Sequence, residues 1–285
     1  MPDATISPSP EAARQSSNWS ILLADDSASM RKSLATAIRS YDASIEIIEA
    51  LTGRETLDLL VTRPPDLAFI NLQLPEISGA EALAYAWRKG IRPLTILMSK
   101  HVLPKWVEVS TELGAYEFWR KRFDPAHVIQ LLDAYRVMRT PMKLLVADQS
   151  TTAHDLIMRM LANCRFQLEV DHSDSGPHAL GLARDTRYDV ALVDSQFSSG
   201  MSGFEIACQI RAASPGTKLI LMAGGAAGTA MQVARQFGLR SFLQKPFYLR
   251  DVEFALHAEF GLRRPYLLNA VCAPEAPSRI AGARP

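Results

Sequence analysis

The amino-acid sequence predicts an α/β protein of two tandem domains, each a five-stranded parallel sheet covered by helices on both faces. Three observations carry this expectation. Short β-rich apolar runs alternate with segments of helical period. Those runs are mostly continuous in apolar residues rather than alternating, as strands buried on both faces are. The whole pattern is written twice along 285 residues, enough for two domains with a core each.

The first run covers residues 21–24 and leads into a helical stretch at 29–40. There Met30, Leu34, Ala37 and Ile38 recur at spacings of three and four, which gives one buried face. Runs at 45–49, 67–70, 94–98 and 116–119 follow, with a helical stretch after each, such as Gly79–Arg88. A helix over Pro125–Arg139 then meets Thr140-Pro141, where proline ends it, and the next strand begins near Met142.

From Lys143 the pattern restarts. Asp25 is matched by Asp148 and Asn71 by Asp194, each 123 residues on. Gly79 is matched by Gly203, Gly114 by Gly238 and Lys121 by Lys245, each 124 residues on. The offset grows by one because "DSQFSSGMSG" is one residue longer than "NLQLPEISG". This is a domain-sized duplication, not a short solenoid repeat. It divides the chain into a disordered Ser/Pro-rich lead (1–18), a first domain (19–139), a second (140–262) and an aperiodic, disordered tail (263–285). Within that tail, Tyr266-Leu267-Leu268 is a stretch fit to dock on a partner or on the domain itself.

Composition excludes several classes. With 48% hydrophobic and 21% charged residues the chain is not largely disordered, and a net charge of +1 gives no footprint for nucleic acid or an anionic membrane. Cys164, Cys208 and Cys272 are too few and too scattered for a disulfide framework or a zinc site. The apolar runs fall short of the ~20 residues a membrane span requires. The N-terminal stretch has no apolar core of a signal peptide, so a cytoplasmic address is expected. His172 and His178 lack thiols or a second carboxylate cluster and read as solvated. The stretch "MAGGAAG" (222–228) lacks the phosphate-loop pattern and reads as a connection into a helix.

In an open parallel sheet, chemistry collects at the carboxyl ends of the strands. In the first copy those tips carry Asp25, Asp26, Asn71, Ser99 and Lys121. In the second they carry Asp148, Gln149, Asp194, Ala223 and Lys245. Carboxylates on neighbouring tips with a lysine on a third suit a divalent cation and a phosphoryl group.

With these residues the chain resembles the receiver domain of two-component response regulators (CheY-like), twice over. The first copy carries the resemblance in "ILLADDS", "DLAFINLQLPEISG", "TILMS" and "GAYEFWRKRF". The second carries it in "KLLVADQS", "DVALVDSQFSSGMSG", "LILMAGG" and "GLRSFLQKPF". The resemblance implies two flavodoxin-like (βα)5 domains with strand order 2-1-3-4-5. It makes Asp25, Asp26 and Asp148 members of the acidic metal-binding pair, with Gln149 in place of the second acid, able to hold a metal-bound water. It makes Asp194 the phosphoacceptor and Asn71 a degenerate acceptor. Lys121 and Lys245 become the acceptor-pairing lysines. Ser99 becomes the switch hydroxyl, absent at Ala223, and Phe118 and Phe242 the switch aromatics.

Mg²⁺ is expected in the second copy; in the first, which lacks a third carboxylate, the residues leave it open. The resemblance implies a non-enzymatic response regulator without an output domain, since the tail is shorter than the ~50 residues such a domain takes. Its partners would be a sensor histidine kinase or phosphotransfer protein and a downstream protein target, met through the helix 4–strand 5–helix 5 face, which could also serve a homodimer. Two further readings stand beside it: a phosphorylation-independent scaffold, and the regulatory partner of a separate cyclase or histidine kinase.

Overall fold

A strand covered by helices on both faces has no wet side, and the inner strands of the first sheet obey that rule, while the edge strand Glu46–Ala50 keeps Glu46 and Glu49 exposed. Its strands are β1 (Ser20–Ala24), β2 (Glu46–Ala50), β3 (Leu67–Asn71), β4 (Leu94–Ser99) and β5 (Glu117–Arg120), all parallel, in the order β2-β1-β3-β4-β5. Every residue of β3 is buried. Between the strands run α1 (Ala28–Tyr41), α2 (Gly53–Thr62), α3 (Gly79–Arg88) and α4 (Pro104–Glu112); α5 (Pro125–Arg139) follows β5. The computed structural model describes residues 19–101, 103–198, 200–224, 239 and 241–268. Gly238, Cys272, the lead 1–18 and most of "MAGGAAG" lie outside these.

The core of the first sheet is split by the period-2 alternation of its strands. Leu22, Ala24, Ala68, Ile70, Leu97 and Phe118 share one apolar cluster with Leu60 of α2 and Leu83 and Ala86 of α3. Their neighbours in sequence, Ile21, Leu23, Phe69, Ile96, Met98 and Trp119, are buried too, and the rings of Phe69 and Trp119 lie 5.5 Å apart. In α1 the buried residues are Leu34, Ala35, Ala37 and Ile38. Met30, expected on that face, is only half-buried because it sits in the first turn, where the helix leaves the strand tips.

The second sheet repeats the design. It holds β6 (Met142–Ala147), β7 (Leu168–Ser173), β8 (Val190–Asp194), β9 (Lys218–Ala223) and β10 (Ser241–Gln244), parallel, in the order β7-β6-β8-β9-β10. Its described helices are α6 (Thr151–Leu161), α7 (Gly176–Asp185), α8 (Gly203–Ala213) and α9 (Leu249–Glu259). Leu145, Ala147, Ala191, Val193 and Leu221 form its core with Ile206 and Ile210 of α8. Both sheets therefore have the flavodoxin-like order 2-1-3-4-5.

The described residues cluster as two compact units, 19–132 with 265–268, and 133–264. The last turns of α5 belong with the second unit, where the amide of Gln167 donates to the carbonyl of Met138 at 2.8 Å. The stretch 263–268 is placed rather than disordered. Residues 266–268 form a helical turn, and Leu267 is 5% exposed.

Candidate functional site

The register brings the strand tips level. Ala24 lies beside Ile70 and Asn71 beside Met98 in the first sheet; Ala147 lies beside Val193 and Asp194 beside Met222 in the second. The side chains just beyond β1 and at the end of β3, or beyond β6 and at the end of β8, thus meet at one edge.

Two glycines make the close turns that follow β3 and β8. The chain after β3 folds back so that the amide of Gly79 donates to Leu72 O at 3.0 Å. A β-carbon at residue 79 would stand 2.2 Å from the carbonyl oxygen of Asn71, and one at Gly203 would stand 1.7 Å from that of Asp194. No side chain fits at either place. A capping box then starts each following helix. Ser78 and Glu81 exchange hydrogen bonds at the start of α3, and Ser202 and Glu205 do so at the start of α8. The Ser78 hydroxyl and amide hold the Glu81 carboxyl below its ordinary pKa; the Ser202 amide and hydroxyl do the same for Glu205.

In the second unit the expected residues converge. The Lys245 ammonium reaches Asp148 Oδ2 at 2.6 Å and Asp194 Oδ2 at 2.5 Å, so one cation bridges the acids beyond β6 and at the end of β8. The remaining oxygens are held by local turns. Asp148 Oδ1 accepts from the Ser150 amide at 2.9 Å, and Asp194 Oδ1 from the Gln196 amide at 3.1 Å. Burial opposes the charge on Lys245, but hydrogen bonds and attraction from both carboxylates outweigh it and raise its pKa above the ordinary value. Lys245 is followed by a cis peptide to Pro246. Ala223 is buried at the end of β9 and offers no hydroxyl. The side-chain carbonyl of Gln149 turns onto the loop after Asp194, accepting from the Ser198 amide at 2.7 Å.

The first unit distributes the same kinds of group differently. Lys121 pairs with Asp25 at 2.7 Å, and both side chains are almost wholly buried. Asp25 Oδ1 accepts from the Ser27 amide at 3.0 Å. The Asn71 amide donates to Asp26 Oδ1 at 3.1 Å and to the carbonyl of Gln73 at 2.5 Å. Ser99 is buried at the end of β4, where its hydroxyl oxygen accepts from the His101 amide at 3.2 Å. The strand-tip positions of each unit therefore carry two carboxylates, one primary amide and one lysine. The amide stands at the acceptor position in the first and next to the leading acid in the second.

Among the described residues no group of three or more His, Cys, Asp or Glu side chains could hold a metal ion. A divalent cation in the second pocket would rest on Asp148 and Asp194, with water and backbone oxygens completing its shell. Mg²⁺ accepts such a set, being bound through one or two carboxylates while keeping several waters. In the first pocket, among the described residues, Asp25 and Asp26 are the carboxylates just beyond the end of β1, and Asn71 ends β3.

A family model described as the response regulator receiver domain matches residues 21–133 and again 144–257.

The chain belongs to the response regulator receiver family.

Its two receivers are in tandem, and receivers are domains of two-component signalling. It is 30% identical over 118 residues to a protein-glutamate methylesterase/protein-glutamine glutaminase of Myxococcus xanthus, covering 41% of this chain and 33% of that one. It is 36% identical over 78 residues to a response regulator receiver protein of Anaeromyxobacter, covering 27% and 32%. The chain thus spans about a third of the length of these curated relatives. A crystal structure of a two-component system response regulator/GGDEF domain protein superposes with a TM-score of 0.60 at 19% identity, covering 86% of this chain and 98% of that one. That likeness extends the shared fold across both receivers. Receivers are signalling domains rather than enzymes in general, and no described helix is long and apolar enough to cross a membrane.

Sequence reasoning missed Arg31, whose guanidinium donates to the carbonyl of Asp25 at 2.8 Å and pairs with Glu49 at 2.6 Å. Its one sequence signal was an arginine six residues after the first acid, on a helix starting at the site. His172 is exposed, with its ring 3.8 Å from that of His154, and His178 is exposed. Cys164 and Cys208 are free thiols, and burial pushes the Cys164 thiol up to about 12.

Proposed function

We propose that the second receiver is a phosphorylation switch with Asp194 as its acceptor, and that the first regulates or docks without being phosphorylated. The observation that supports this most directly is the Lys245 bridge between Asp148 and Asp194. A carboxylate oxygen of Asp194 attacks the phosphorus of a small phosphodonor or a phosphohistidine. An acyl-phosphate P–O bond forms as the donor's bond to phosphorus breaks, and the donor leaves with its electron pair. Lys245 starts as the partner of Asp194 and neutralises charge gathering on the phosphoryl oxygens. Mg²⁺, held by Asp148 and Asp194, would supply further positive charge to those oxygens. Asn71 has no carboxylate to offer, and an amide is a poor nucleophile.

Output in this reading is protein–protein contact, with phosphorylation biasing a two-state surface. Partners are a histidine kinase or phosphotransfer protein upstream and a protein target downstream. Because Ala223 has no hydroxyl to follow the phosphoryl group, coupling runs through the loop after β8. Gln149 already grips that loop at Ser198, so displacement of either end moves both.

One observation favours a second reading, a phosphorylation-independent scaffold. The Gln149 carbonyl is committed to Ser198, which takes a polar atom away from the acidic pocket. Incubating the chain with acetyl phosphate and Mg²⁺ and measuring intact mass separates the two. The switch reading requires one added phosphoryl group, absent in Asp194→Asn; no gain supports the scaffold.

A further inference from the structure

Glu117 opens β5, the edge strand of the first sheet, and its side chain is wholly buried. A carboxylate in such a place needs hydrogen-bond donors. One comes from 149 residues away, where the backbone amide of Tyr266 donates to Glu117 Oε1 at 2.6 Å. The next residue, Leu267, joins the apolar cluster that contains Leu97, Ala115 and Phe118 and is flanked by Trp106, Val107 and Leu113. Leu268 is 8% exposed.

The duplication shows that this contact is particular to the first receiver. The position matching Glu117 is Ser241, whose hydroxyl donates to Glu259 on the receiver's own α9. There the strand carries the hydroxyl and the terminal helix the acid. In the first receiver the strand carries the acid, and an amide from the far end of the chain answers it.

We propose that the β5 edge of the first receiver is an interaction surface for a short apolar helical turn, read by one backbone N–H and a leucine. In this chain its built-in occupant is the segment 266–268. The N–H meets Glu117 and fixes the register, while Leu267 fills the apolar site beside Phe118. A tethered segment acts at an effective concentration on the order of millimolar, so it masks the surface until something releases it. A partner recognised here would present the same chemistry: an exposed amide followed by leucine. The proposal does not depend on Asp194 being phosphorylated.

Hydrogen exchange on the full chain tests it. In Leu267→Asp the apolar contact is lost, and in Tyr266→Pro the N–H alone is removed from the hydrogen bond. Both should speed amide exchange across residues 113–120 by about tenfold or more, because local opening there becomes easier. Exchange across 142–147 should stay as in wild type, which distinguishes release of the segment from unfolding. Adding a peptide of residues 262–271 in millimolar excess should restore protection to the Leu267→Asp chain. Unchanged exchange at 113–120 in both variants overturns the contact, and failure of the peptide to restore protection overturns the recognition surface. A concentration-dependent dimer lost in Leu267→Asp would assign the segment to a neighbouring copy and overturn the built-in occupant.

Discussion

Asn71 donates its amide to Asp26 Oδ1 at 3.1 Å, where a receiver with an acceptor would set two carboxylates side by side. The interaction turns a repulsive pair into a hydrogen bond. It lets the first pocket stay closed on itself with Lys121 committed to Asp25.

Asn71→Asp should therefore destabilise the first receiver in metal-free buffer. It replaces a donor by a third carboxylate beside Asp25 and Asp26, at a cost of about 1–3 kcal/mol for the lost bond and the added repulsion. Mg²⁺ should recover most of that loss in the variant and little in the wild type. Thermal unfolding with EDTA and with Mg²⁺ checks both halves of the expectation.

Lys245→Met should leave Asp148 and Asp194 facing each other without their shared cation. The lysine side chain is 24% exposed, so the penalty falls below that of a fully buried pair, at about 1–3 kcal/mol. Adding Asp194→Asn should return part of the loss, because the repulsion is then gone. Denaturant unfolding of the two single variants and the double variant gives the coupling.

Gly203→Ala should cost about 2 kcal/mol or more, since overpacking forces backbone to move. The atom that must move is the Asp194 carbonyl oxygen, 1.7 Å from the added methyl. Phosphoryl uptake should fall along with stability. Gly200→Ala is the control: its left-handed backbone is strained by a side chain, but a β-carbon there meets nothing within 4 Å.

Much of this was legible because the chain states its design twice. Gly79 and Gly203 stayed in step since each faces a backbone carbonyl that tolerates no side chain. The acids and lysines could be placed at strand tips because continuous apolar runs fix the parallel sheet. Other relationships were not legible. The bond from Tyr266 to Glu117 spans 149 residues and leaves no local pattern. The grip of Gln149 on Ser198 depends on the conformation of a loop one residue longer than its counterpart. The boundary between the two compact units falls inside α5, between Leu132 and Asp133, a place that the period of a helix does not mark.

The second receiver should lose stability as pH falls below about 6.5, the ordinary histidine value. His257 is wholly buried, and burial lowers its pKa against the opposing pull of Glu253; Arg165 and Arg264 lower it further. The unfolded chain then binds a proton that the folded chain refuses, so stability drops from the unfolded pKa downwards. His257→Asn should flatten that slope in chemical unfolding curves taken from pH 7.5 to 5. At lower pH the lowered pKa of Glu205 adds a loss of the same sign as its capping box is protonated, and the lowered pKa of Glu81 does the same in the first receiver.

The most direct test of the account is to locate the phosphoryl group. After acetyl phosphate and Mg²⁺ treatment, borohydride reduction turns an aspartyl phosphate into homoserine, which tandem mass spectrometry can place. Homoserine is expected at residue 194 alone, with Asp25, Asp26 and Asp148 intact. Homoserine at any of those three, or none anywhere, would contradict it.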